Sequence, residues 1–173
     1  MKKYLDARYI IIASLILVAA LTRLIPHPPN FTPIMALGLF GGAYFSDKRF
    51  AFLVPLAAMF ISDIIIGFHP TIWAVYFSLV LGTFIGKLII NKINFSKIVI
   101  ASITSSIIFF IITNFAHWLT FYPLTTDTFI KCYIDAIPFF RNTFFGDLTY
   151  CGVLFGSFSV AEKYVPSLAK ISN

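Results

Sequence analysis

The sequence predicts an all-α, polytopic membrane protein. A single domain over residues 1–173 forms a six-helix transmembrane bundle with an extra short helix on the outer surface. Three observations lead there. The chain is 59% hydrophobic and 12% charged, whereas a soluble domain carries about 25% charge, so lipid has to cover the apolar excess. The apolar residues fall into runs, and a membrane helix needs about 20 such residues. The loops between the runs alternate: one set holds nearly all the Lys and Arg, the other all three His and most of the Asp.

The first span runs from Tyr9 to Ile25, where Pro26, Pro28 and Pro29 stop it, because proline lacks the donor a helix needs. The second, Thr32 to Phe45, is short, and Pro33 suits its first turn. The third covers Phe50 to Phe68, the fourth Ile72 to Ile90, the fifth Ile98 to Leu119 and the sixth Thr143 to Val160. Between the last two, Thr126 to Phe139 contains Asp127, Lys131, Asp135 and Pro138. It is too short and too polar to span, so it is expected at the outer surface. A cleavable signal peptide is the rival reading of the start, since Lys2 and Lys3 precede an apolar stretch and Val18-Ala19-Ala20 has the composition of a cleavage site. The stretch continues to Ile25, which favours a retained first span.

Basic loops mark the cytoplasmic side. With the N-terminus inside, Lys2, Lys3, Arg8, Lys48, Arg49, Lys87, Lys92, Lys97, Lys163 and Lys170 are inside, and Arg23, Lys131 and Arg141 are outside. Both termini are then cytoplasmic. The net charge of +6 does not indicate nucleic acid, because the basic residues stand singly at span ends rather than in a patch.

Small residues recur four apart at Gly38 and Gly42, at Ser78, Gly82 and Gly86, and at Gly152 and Gly156. Such spacing lets helix backbones approach closely in lipid, within the bundle or against a partner. Ser102, Ser105 and Ser106 fit the same uses or bond back to their own helix. Cys132 and Cys151 have no metal-type spacing and read as small buried residues. Gly82-Thr-Phe-Ile-Gly86-Lys87-Leu88 is not a phosphate loop, which needs four residues between its glycines and Ser or Thr after Lys.

The polar residues at the outer span ends are the candidate ligand-binding set: Arg23, Asp63, Asn114, His117, Trp118, Arg141, Asn142 and Asp147. A charge at mid-membrane costs about 2.5–3.5 kcal/mol, so such groups face a cavity or a partner. Asp147 is the deepest. It is expected to line one outward cavity with Asn114, His117 and Arg141, and Trp118 is expected to form an apolar wall. Each has a structural alternative: Arg23 snorkels, Asp63 pairs with Arg23 or Arg141, and Trp118 and Tyr122 belong to an aromatic belt. His27 and His69 lie in turns beside prolines and read as solvated. A metal site from His27, His69, His117 and an Asp is one further alternative, but the histidines lie on separate segments. No metal or cofactor is expected.

Three stretches carry a resemblance. The first runs from Arg23-Leu-Ile-Pro-His-Pro-Pro-Asn30 to Gly41-Gly42, and the second from Pro55 through Ser62-Asp63-Ile-Ile-Ile-Gly67. The third joins Thr113-Asn114-Phe-Ala-His117-Trp118 with Arg141-Asn142-Thr-Phe-Phe-Gly146-Asp147. Over about residues 20–160 the chain resembles the substrate-binding S components of energy-coupling factor transporters, or an uncharacterised bacterial family related to them. The resemblance implies a six-helix subunit of the bacterial cytoplasmic membrane that captures a small polar or vitamin-like solute from outside. It implies partners as well: a transmembrane coupling subunit and separate ATPases. One feature departs from the family, whose first helix carries two alanines four apart; here Ala13 is followed by Leu17, and Ala19 by Arg23. The expectation is therefore a non-enzymatic solute-binding membrane subunit. The alternatives are a structural membrane partner without a ligand and an intramembrane enzyme using Asp147 or His117.

Overall fold

The computed structural model describes residues 7–90, 92–165 and 168. Its helices are α1 (Ala7–Leu21), α2 (Ile34–Tyr44), α3 (Lys48–Ile66), α4 (Ile72–Ile89), α5 (Phe95–Phe121) and α6 (Thr126–Tyr164), and α1 ends in a 3-10 turn, Thr22–Leu24. Local chemistry sets the boundaries. Asp47 accepts from the Arg49 amide at 2.7 Å at the start of α3, and Asn94 accepts from the Ser96 amide at 2.9 Å at the start of α5. A reciprocal Thr125–Thr128 capping box opens α6. These side chains satisfy first-turn amides that have no partner inside the helix. α3 stops at Gly67, whose φ of +101° suits glycine.

Five helical segments are long and apolar enough to cross a bilayer, and α2 is shorter. The chain is a multi-pass membrane protein, all α-helical among the described residues. Large apolar side chains such as Ile64, Ile65, Phe77, Leu88 and Ile100 point outward, as lipid-facing residues do. The helices alternate in direction. The connections 25–33, 67–71 and 122–125 therefore share one end of the bundle, which holds the histidines. The other end carries most of the described basic residues. Lys2, Lys3 and Lys170, which entered the expected orientation, lie outside the described residues.

α2 is the central element. From Ile34 to Gly42 every residue is buried. It runs parallel to α4, and glycines set the spacing. A Cβ at Gly42 would lie 2.1 Å from the Thr83 carbonyl, and one at Gly86 would lie 2.3 Å from the Leu39 carbonyl. No side chain fits there, so the backbones touch, which is how helices associate where the hydrophobic effect is absent. Gly152 and Gly156 differ, since nothing lies within 4 Å of a Cβ at either. They face an open apolar groove of about 520 Å³ between the basic-end halves of α5 and α6. At the basic end, Arg8 ties α1 to α6 through Glu162 at 2.6 Å and the Leu168 carbonyl, with its guanidinium over the Tyr44 and Phe158 rings.

One expectation needs correction. No separate surface helix spans Thr126 to Phe139; that segment is the first part of α6, a single helix of 39 residues that passes through Pro138. Pro138 leaves the Ile134 carbonyl without its helical donor, but packing on α5 holds both flanks in line. Phe110 meets the rings of Tyr133 and Phe140, and the Tyr133 hydroxyl donates to the Ile111 carbonyl at 2.7 Å. At about 1.5 Å per residue, α6 is about 58 Å long, roughly twice the hydrocarbon thickness of about 30 Å. The charged first part of the helix therefore extends past the membrane-crossing part.

Candidate functional site

The polar groups at the histidine end converge on a cavity of about 320 Å³. Its floor is a buried ion pair. Arg23, on the turn after α1, meets Asp63 near the end of α3 at 2.6 Å. Arg23 also donates to Ser62 Oγ at 2.5 Å, and the Tyr76 hydroxyl of α4 donates to the second Asp63 oxygen at 2.8 Å. Asp63 is 2% exposed. A carboxylate this buried needs a cation and hydrogen-bond donors, and here it has both.

The walls come from five parts of the chain. His27, Asn30 and Thr32 come from the α1–α2 connection, His69 and Thr71 from the α3–α4 connection, and Ile72 and Val75 from α4. Ile34 at the start of α2 and Phe109, Thr113, Asn114 and His117 of α5 complete them. A second cavity of about 360 Å³ adjoins it, lined by Tyr122, Cys132, Asp135, Ala136 and Phe139. Asn30, Asn114 and His117 line both cavities, so they form the partition. Asn30 holds φ at +63°, a left-handed conformation that asparagine tolerates better than most residues.

The expected site residues divide. Arg23, Asp63, Asn114 and His117 line the first cavity. The other four do not line either cavity. Trp118 donates its indole N–H to Thr128 at 3.2 Å and packs on Phe115 and Phe129, fastening α5 to α6. Asn142 donates to the Pro29 carbonyl at 2.9 Å and pins the α1–α2 connection. Arg141 is exposed and forms no ion pair among the described residues. Asp147 is 1% exposed and sealed inside the bundle. It accepts from Ser106 Oγ at 2.6 Å and faces the amides of Met35 and Ala36. These amides open α2, where Pro33 supplies no side-chain cap. Asp147 is thus a cap supplied by α6 to the central helix, where a negative group is favoured.

The sequence reading missed His27, Asn30, Thr32, His69, Thr71 and Thr113 as lining residues. The signal for His27 and His69 was present: both occur in connections assigned to the same end as His117. All three histidines line one cavity. No group of three or more His, Cys, Asp or Glu among the described residues is arranged to hold a metal ion.

No curated protein matches the chain, and no solved structure does. A family model described as "Family of unknown function (DUF6580)" matches residues 3–168, and the chain belongs to that family.

Proposed function

We propose that this chain is a membrane-embedded solute-binding subunit of a transporter, of the type that the S components of energy-coupling factor transporters represent. It captures a small polar or vitamin-like solute from the outer side of the bacterial cytoplasmic membrane. A separate coupling subunit and ATPases supply the energy. The observation that carries this reading is the cavity at the histidine end, where polar side chains from two connections and from α5 face one space over the buried Arg23–Asp63 pair. A volume of about 320 Å³ falls in the range of about 300–1,000 Å³ typical of small-molecule sites.

A binding role without catalysis fits the same geometry. Asp147 is occupied by Ser106 and the start of α2. Both Asp63 oxygens are engaged. Neither carboxylate is free to take a proton from a substrate. Gly86 packs on the α2 backbone inside α4 and is no part of a phosphate loop, in keeping with ATP hydrolysis on another subunit.

Ligand-linked stability tests the reading. A solute that binds only the folded protein raises its melting temperature. Purified protein dialysed extensively in mild detergent should melt several degrees lower than undialysed protein. The low-molecular-weight extract of the host cells should restore the difference. Identical melting before dialysis, after it and with extract added would remove the support for a solute site.

A further inference from the structure

We infer that the solute taken by this cavity carries no formal charge and is held through its own N–H and O–H groups. The inference rests on the solute-binding reading and adds the chemical class.

The first argument is charge. Among the residues lining the first cavity, the charged side chains are Arg23 and Asp63, and they face each other at 2.6 Å. Arg23 is further committed to Ser62, and the second Asp63 oxygen to Tyr76. An anion placed beside Arg23 would meet Asp63 at nearly the same distance, so attraction and repulsion nearly cancel. A cation beside Asp63 meets the same balance with signs reversed. In the second cavity Asp135 has Lys131 at 3.5 Å. A charged solute would therefore find no uncommitted Lys, Arg, Asp or Glu to replace the water it loses, which is costly. A zwitterion fares no better, because neither of its ends finds an uncommitted opposite charge.

The second argument is hydrogen-bond direction. His27 Nδ1 lies 3.0 Å from the Pro28 carbonyl. A carbonyl only accepts, so Nδ1 is the donor there, and Nε2 is the ring nitrogen left to a solute. Asn114 donates its amide N–H to the Phe110 carbonyl at 2.8 Å, which leaves Oδ1 as its acceptor. Thr113 spends its hydroxyl proton on the Phe109 carbonyl at 2.8 Å and keeps its lone pairs. Each of these three lining groups thus spends a donor on the protein's own backbone, and Asn114 Oδ1 and Thr113 Oγ1 keep lone pairs spare. A solute rich in N–H and O–H groups, such as a polyol or an amino-substituted heterocycle, complements them. Its apolar face can rest on Ile72, Val75 and Phe109.

The test is the identity of what the folded protein carries. Wild-type protein is purified in mild detergent without dialysis and denatured in organic solvent. Small molecules present at near one per chain are then identified by mass spectrometry. An uncharged compound bearing several N–H or O–H donors is the expected result. A carboxylate, phosphate, ammonium or zwitterionic compound, or an uncharged compound without donors, would overturn the inference while leaving the solute-binding reading in place. No compound near one per chain would overturn both.

Discussion

Asp147 of α6 and Ser106 of α5 are joined by a 2.6 Å hydrogen bond inside the bundle, and the same carboxylate faces the first amides of α2. One side chain therefore fixes the place where three helices meet, just beneath the loop that walls the cavity. Asn142, five residues earlier on α6, holds that loop by the Pro29 carbonyl. The depth that marks Asp147 in the sequence reflects architecture, and the cavity is lined by other residues.

Asp147→Ala should therefore unfold more readily. It leaves the first α2 amides without their acceptor, at about 1–3 kcal/mol per buried unsatisfied group, while the Ser106 hydroxyl still has the Ser102 carbonyl at 2.9 Å. Asp147→Asn keeps an acceptor oxygen and should lose less. The folded fraction of either variant should retain solute like the wild type. Thermal denaturation in detergent, with solute content measured on the folded fraction, checks both statements.

The ion pair predicts non-additivity. Arg23→Ala leaves Asp63 buried and unpaired, and Asp63→Ala does the same to Arg23. Each single change should destabilise by about 3–5 kcal/mol. The double variant should cost clearly less than the two single costs added together, because no lone charge remains. A double-mutant cycle on melting free energies in detergent measures this coupling.

The glycines separate into two classes. Gly42→Ala and Gly86→Ala push a methyl group against the backbone of the neighbouring helix, at 2.1 Å and 2.3 Å. Both should destabilise by at least about 1–3 kcal/mol, the usual overpacking cost. Gly152→Ala and Gly156→Ala meet open space and should stay within about 0.5 kcal/mol. Parallel melting curves of the four variants suffice.

Orientation is open to labelling. Cys132 and Cys151 are buried, at 3% and 1% exposure, so they should react slowly with maleimides. His69→Cys, in an exposed connection at the histidine end, should react with a membrane-impermeant maleimide on intact cells. Lys48→Cys, exposed at the opposite end, should react only after lysis. The reverse pattern would place the cavity in the cytoplasm.

The helices were legible because long apolar runs and loop residues mark them locally. α3, expected from Phe50 to Phe68, runs Lys48–Ile66, and α4, expected from Ile72 to Ile90, runs Ile72–Ile89. α6 was not, because Pro138 and its neighbouring charges look like a break, and what overrides them is packing of Tyr133 and Phe140 on Phe110. Half of the candidate site was legible for a similar reason. Arg23, Asp63, Asn114 and His117 stand out as polar groups at span ends. Trp118, Asn142 and Asp147 stand out equally, and only their partners Thr128, Pro29 and Ser106 show them to be structural. Partners on distant segments leave no trace in a single sequence.

The most direct test of the central claim fills the cavity. Thr113 lines it from α5, and Thr113→Trp places an indole in the space. Native mass spectrometry of wild type and variant, purified side by side from the same cells without dialysis, reads the fraction carrying a small-molecule adduct. The account predicts an adduct on the wild type and its loss from a Thr113→Trp protein that remains folded by circular dichroism. Equal adduct on both proteins, or none on the wild type, would contradict it.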